Sequence, residues 1–293
     1  DPDTFLDAFG QVWKRDVTYY YADTGILSTA GSIDDIDRIV TWPDARSPHW
    51  TVGVSERARD LHHNTDYFVI ARMVTSHGIF QTACDLRGTA ELMLDMATNE
   101  DFAFYLIRRV TETINGLLKG YLQAAGDAVE LIELPGDDYA SNENLLISPA
   151  MFRQFIKPGL RQLVTTIKEH NPNLKIMLHS DGRVDKLLPE FIGLGVDVLH
   201  PLEPVPALDQ GAIKAAYGSQ LAFLGGIDIS HAMRGGREDV IAEVRQRIAQ
   251  LGTGGGYILA PANHLQADVP AENVVTLFEA ARQYGTYPFK LGH

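Results

Sequence analysis

The sequence predicts an α/β protein, a TIM (β/α)8 barrel whose first strand lies upstream of residue 1, and three observations carry that expectation. Short runs rich in β-branched and aromatic residues alternate with longer stretches of helical period, the pattern of parallel strands joined by crossover helices. Seven such runs occur, at 17–21, 67–74, 128–134, 174–178, 196–199, 221–224 and 257–260, one fewer than a closed barrel needs. An open doubly wound sheet would carry a glycine-rich phosphate loop after its first strand, and neither G-x-G-x-x-G nor G-x-x-x-x-G-K is present.

Helices are expected at 101–124, 149–170, 184–194, 238–250 and 271–284. Ser148 before Pro149 is an N-cap followed by a first-turn proline, and Pro270 opens the last helix. Gly195 and Gly252 stand where C-terminal caps belong. The stretch "GTGGGY" beginning at Gly252 precedes a strand and reads as a turn. His62 and His63 precede their strand and read as surface loop at the opposite end of the barrel from the other polar residues.

No fixed-period repeat, low-complexity tract or long linker divides the chain, so residues 1–293 are expected to form a single domain. An apolar share of 45% with 22% charged residues suits a soluble protein with a sizeable core. No run approaches about 18 consecutive apolar residues, and the first residues lack a basic and apolar leader pattern, so a cytoplasmic location is expected and a membrane partner is not. One cysteine, Cys84, excludes an internal disulfide and any zinc site of several thiolates within the chain. A formal charge of −13 with no basic cluster excludes a nucleic-acid face.

In a (β/α)8 barrel the active site is assembled at the C-terminal strand ends, and here those ends are polar. They supply Asp23, His77, Asp137 and Asp138, then His179 with Asp181, then His200 and Glu203, Asp228, and finally Asn263 and His264. Each has a plainer use: a histidine there is often a hydrogen-bonded loop residue, Asp137 and Asp138 suit turn caps, and Asp228 suits an N-cap. Convergence of the set at one end is what favours chemistry. Two residues apart on an extended segment, His179 and Asp181 share a side and are able to bind one ion. A third ligand from the last strand, at Asn263 or His264, would leave an open position as catalytic zinc requires.

The segments "LHSDGRVDKLLPEFIGLGVDVLHPLEP", "AYGSQLAFLGGID" and "GGGYILAPANHLQADVPAENV" resemble the uroporphyrinogen decarboxylase superfamily, and its corrinoid-dependent methyltransferase branch in particular. The earlier stretches "SIDDIDRIVTWPD", "DLRGTAELMLDMATNED" and "GDDYASNENLLISPAMFRQFIKPGLRQL" agree, so the likeness covers nearly the whole chain. It implies a TIM barrel with an upstream segment bearing the first strand. Decarboxylases of the superfamily are metal-free and use an N-terminal arginine motif, an early aspartate and a later tyrosine. Asp23 matches that aspartate by position; the arginine motif is not in this chain, although it would lie upstream of residue 1, and "SHGIFQTACDLRG" has no tyrosine where the decarboxylases carry one.

In the methyltransferase branch an H-x-C pair and a later cysteine hold zinc. His179 falls on the histidine, Asp181 on the first cysteine, and Asn263 or His264 on the second. Replacing soft thiolates by oxygen and nitrogen leaves a harder Lewis acid, suited to an ether oxygen more than to a thiolate nucleophile. The resemblance therefore implies transfer of a methyl group from a methylated small molecule, an aromatic methyl ether above all, to Co(I) of a corrinoid carried by a partner protein. Lowering the basicity of a phenolate leaving group by about four pKa units would contribute roughly 5 kcal/mol. His179, Asp181 and His264 are the expected zinc ligands, and Asp137, Asp138, Glu203 and Asp228 the expected catalytic or ligand-supporting groups. Asp23, His77, Phe80, Tyr139 and Asn263 are expected to contact substrate. A homodimer is compatible with exposed barrel helices. The rival readings are a metal-free decarboxylase and a non-catalytic tetrapyrrole-binding protein.

Overall fold

The described chain opens with a three-stranded antiparallel sheet, β1 (Thr4–Leu6), β2 (Val12–Arg15) and β3 (Tyr20–Ala22). The computed structural model describes residues 3–15, 20–22, 24–72 and 75–289. These fall into two compact units, 1–138 with 147–176 and 139–146 with 177–293. The strand expected at 17–21 is thereby corrected: residues 17–19 lie outside the described residues, and Tyr20 and Tyr21 pair antiparallel with Arg15 and Lys14. The reason is local. Asp7 accepts the backbone N–H groups of Phe9 and Gln11, turning the chain between β1 and β2, and Phe5 packs on Trp13 and Tyr20, with ring centroids 6.3 and 5.2 Å away.

The first unit continues with α1 (Ile33–Ile39), α2 (Val54–Asn64), β4 (Ile70–Arg72), α3 (Ile79–Arg87), α4 (Thr89–Thr98), α5 (Glu100–Ala125) and β5 (Leu131–Glu133). After residue 146 it resumes with α6 (Pro149–Met151), a π-helical turn over Phe152–Ile156, α7 (Lys157–His170) and the first residues of β6 (Lys175–His179). The helix expected at 149–170 is thus one helical run with a π turn inside it, capped by Ser148 Oγ, which accepts from Met151 N at 3.1 Å. The long α5 buries Leu106, Ile107, Val110, Ile114 and Leu118. Helix α7 approaches it closely because Gly159 has no side chain: a methyl there would lie 2.6 Å from Thr111 Oγ1. Strands β4 and β5 pair in parallel, Ile70 opposite Leu131, and Lys175 N–H at the start of β6 donates to the Glu130 carbonyl.

The second unit carries β6 onward: α8 (Leu188–Leu194), β7 (Val198–His200), α9 (Gln210–Tyr217), β8 (Ala222–Ile227), α10 (Arg237–Leu251), β9 (Tyr257–Pro261) and α11 (Ala271–Tyr284). All pairings from β6 to β9 are parallel, and the parallel sheet runs β4 to β9 in chain order. That makes six parallel strands among the described residues, not seven. Helices α10 and α11 pack over β8 through Ile227, Val240, Val244, Ile248 and Leu277. Gly195 ends α8 in the left-handed conformation, φ 94°. Gly252 ends α10 without it, φ −78°; glycine is needed there because a Cβ would sit 2.7 Å from the Phe289 ring. His62 and His63, expected in a loop, lie in the last turn of α2. No described helix is long and apolar enough to cross a membrane.

Candidate functional site

In the second unit β6 ends at His179 and β7 at His200, and the strand register sets these two opposite each other. Register partners on adjacent strands point to the same face. The rings accordingly meet, Nδ1 to Nδ1 at 2.8 Å with centroids 5.0 Å apart. A hydrogen bond between two imidazole nitrogens needs one proton between them; with it on His179 Nδ1, His179 Nε2 presents a lone pair. That Nε2 lies 3.8 Å from Asp181 Oδ2. The two side chains thus share a side, as their spacing in the sequence implies.

Three contacts hold this corner. Ser180 N–H donates to the His200 carbonyl at 2.8 Å, extending the ladder one residue past β6. Asn263, just beyond β9, donates its amide to Asp181 Oδ2 at 2.5 Å. Gly182, at φ 79°, turns the chain and donates its N–H to Glu203 Oε2 at 2.6 Å. A side chain at Gly182 would lie 2.6 Å from the Ala140 carbonyl oxygen, so the turn requires glycine twice over. Glu203 is accordingly an anchor for backbone.

The donor set fits part of a zinc site. Tetrahedral bonds of about 2.0–2.1 Å separate neighbouring ligand atoms by roughly 3.4 Å. The 3.8 Å between His179 Nε2 and Asp181 Oδ2 is within a few tenths of that edge, and one imidazole with one carboxylate is a zinc-competent pair. His264 does not join it. Its side chain is exposed, its backbone N–H donates to Asn263 Oδ1 at 2.7 Å, and it belongs to no cluster of potential metal donors among the described residues. The two neighbours diverge because Asn263 is the one drawn to Asp181. Asp228 acts as a cap: Oδ1 accepts from Ser230 N and His231 N, and Oδ2 meets His231 Nδ1 at 3.1 Å.

In the first unit His77 follows β4 and bridges to Gly136 beyond β5. Its Nδ1 lies 2.6 Å from Asp85 Oδ2, and Asp85 Oδ1 accepts from Gln81 Nε2 at 2.9 Å. Burial alone would lower the pKa of His77; the hydrogen bond to Asp85, its charge and those of Asp137 and Asp138 outweigh burial and raise it. His77 lines a cavity of about 170 Å3 whose walls include Phe9, Trp13, Trp50, Asp85 and Leu86. Trp13 packs on His77 at 5.4 Å between centroids.

The remaining expected residues divide clearly. Asp137 is 1% exposed and accepts from Phe80 N and Gln81 N at 3.0 and 2.7 Å, capping α3 from a distant part of the chain. Phe80 and Tyr139, expected to line a substrate pocket, are 1% and 0% exposed core residues; Tyr139 packs near Phe191. Asp138 is half-buried and adds its charge to the surroundings of His77. Asp23 lies outside the described residues. Cys84 is buried, and burial pushes its thiol pKa far up, so it is a poor nucleophile. Three contributors went unrecognised in the sequence as partners: Asp85, Trp13 and His200. Only His200, as a strand end, carried any signal.

Comparison with known proteins places this geometry in a family. The model for uroporphyrinogen decarboxylase (URO-D) matches residues 32–284. A uroporphyrinogen decarboxylase of Hordeum vulgare is 26% identical over 177 residues, 60% of this chain and 49% of that protein. A chloroplastic uroporphyrinogen decarboxylase of Zea mays is 26% identical over 192 residues, 65% of this chain and 45% of that protein. The chain thus spans less than half the length of these relatives. A solved methyltransferase from Methanosarcina mazei shares the fold, with a TM-score of 0.69 and 19% identity, over 95% of this chain and 77% of that one. The chain belongs to the uroporphyrinogen decarboxylase family.

Proposed function

We propose that the protein is a zinc-dependent methyltransferase that takes a methyl group from an aromatic methyl ether and delivers it to the Co(I) of a separate corrinoid protein, on a complete (β/α)8 barrel. The observation that carries this reading is the donor pair His179 Nε2 and Asp181 Oδ2 at the end of β6. A methyltransferase of the same fold supports it, as does the nitrogen and oxygen character of the pair. When bound, zinc supplies a Lewis acid that draws electrons from the ether oxygen and lowers the basicity of the departing phenolate. The chain's own residues do the positioning. His200 holds His179 Nδ1 and so aims Nε2. The Asn263 amide orients Asp181, and Glu203 fixes the turn at Gly182 that sets Asp181 in place.

The test uses protein purified without a metal-affinity tag. Near-stoichiometric zinc, and methyl-cobalamin formed from methoxylated aromatics with reduced cobalamin, are the expected results, both lost in His179→Ala with the fold retained by circular dichroism. Absence of zinc at full metal supply, with carboxyl loss from uroporphyrinogen instead, would establish the decarboxylase reading that the curated relatives' names suggest.

A further inference from the structure

We propose that the cavity beside β4 in the first unit is a binding site for a small organic cation, a primary ammonium carried on an apolar tail about the size of one aromatic ring. The lining residues all belong to that unit, and the binding depends neither on zinc nor on methyl transfer.

The walls set the size and the charge. The cavity encloses about 170 Å3, and its lining includes Phe9, Trp13 and Trp50. A space of roughly 150 Å3 holds a benzene ring, so one ring with a short substituent fits. Aromatic faces also attract cations through the ring quadrupole. Two carboxylates stand in the same walls. Asp7 accepts only from neutral donors, the backbone N–H groups of Phe9 and Gln11 and, at 2.9 Å, Trp13 Nε1, so no cation among the described residues offsets its charge. Asp85 is held by Gln81 Nε2 and His77 Nδ1, and its charge is offset only while His77 is protonated.

The open polar atoms choose among cations. Thr75 Oγ1 is buried and has no hydrogen-bond partner among the described residues, and Ser76 adds a second hydroxyl to the lining. Thr82 is already committed, its hydroxyl donating to the His77 carbonyl at 3.2 Å. Neutral His77, with its proton on Nδ1 beside Asp85, offers the lone pair of Nε2. Thr75, Ser76 and His77 Nε2 all accept, and a primary ammonium has three N–H groups to donate. A quaternary ammonium has none, and a carboxylate would also meet the charges of Asp7 and Asp85.

The same groups fix the pH dependence. Burial works to lower the pKa of His77, and Asp85 from α3 with Asp137 and Asp138 beyond β5 outweigh it; Asp7 lines the cavity from the turn between β1 and β2. Deprotonation of His77 removes a repulsion, opens Nε2 as an acceptor and leaves Asp85 unneutralised. A cation therefore binds better as pH rises through that raised midpoint. A bound cation lowers a neighbouring histidine's pKa by about one unit or more, and by linkage its own affinity changes by the same factor, about tenfold.

The experiment follows tryptophan fluorescence, since two of the chain's three tryptophans line the cavity. Chelator-treated protein is titrated with benzylamine, with ethylbenzene, which puts a methyl where the ammonium stands, and with benzoate. The range is about pH 5 to about pH 8, where an alkylammonium keeps its charge. Benzylamine is expected to change the emission saturably, to bind about tenfold or more tighter than ethylbenzene at the upper end of that range, and to tighten as pH rises. Ethylbenzene should show no pH dependence, and benzoate no binding. Thr75→Val and Asp7→Asn should each weaken benzylamine and leave ethylbenzene unchanged, and His77→Gln should remove the pH dependence. Ethylbenzene or benzoate binding as tightly as benzylamine, benzylamine weakening as pH rises, or no saturable change with any probe overturns the proposal without any variant having to fold. No metal or turnover enters the measurement, so protein that binds benzylamine in this way but transfers no methyl group counts against the transfer reading alone.

Discussion

A neutral imidazole has one proton for two nitrogens, so whichever group holds one nitrogen decides what the other is able to do. His200 holds His179 in this way at 2.8 Å. On the zinc reading, loss of such an orienting partner weakens metal binding by about 10–100-fold. His200→Ala is therefore expected to retain zinc at reduced affinity, measured by competition with a chromophoric chelator, whereas His179→Ala retains none. Equal affinity in His200→Ala and the parent would show that the contact between the rings does not orient the ligand. The sequence made the His179 and Asp181 pair legible, because a two-residue spacing on an extended segment sets both side chains on one side, and the chain stays extended just past the end of β6. The His200 contact was not legible, since it depends on strand register, and nothing local to "VLHPLEP" encodes that.

Among elements, α3 shows how a helix escapes sequence reading. It starts at Gly78, which has no side chain to cap with, and its first-turn N–H groups are met by Asp137, 56 and 57 residues away in the chain. Gly78 is obligatory there, since a Cβ would lie 2.4 Å from the Asp137 carboxyl carbon. Asp137→Ala would strand one buried donor, Phe80 N–H, and one part-buried donor, Gln81 N–H, and a lost cap together with an unsatisfied group costs about 2–3 kcal/mol. Urea denaturation should show that loss, with Asp137→Asn losing less because its amide oxygen still accepts. An unchanged midpoint in Asp137→Ala would return the residue to the candidate catalytic groups. Helix α2 escaped for a different reason: its apolar stripe is only Val54, Ala58 and Leu61, of which Ala58 alone is buried, so the helical period it shows is faint against its polar residues. The long α5 was legible because its buried face repeats over seven turns.

For the whole molecule, the alternation of strand and crossover helix from β4 to β9 was legible because buried parallel strands are apolar on both faces and their crossovers are long. The antiparallel β1–β3 sheet was not, because the β-forming tyrosines of "VTYYY" signal a strand without saying which way its partner runs. The division into two units matters for one measurement. Both proposed donors, His179 and Asp181, belong to the unit of residues 139–146 and 177–293. A ligand that binds only the folded chain stabilises it by mass action, about 2.7 kcal/mol at a hundred times its Kd. At roughly 2 °C per kcal/mol for a chain of this size, zinc at that excess should raise the melting temperature by about 5 °C over chelator-treated protein. If the units melt in separate transitions, the shift belongs to the one containing β6–β9. His179→Ala should show no shift at all; the same rise in that variant would mean that zinc binds elsewhere and that the pair at the end of β6 is not its site.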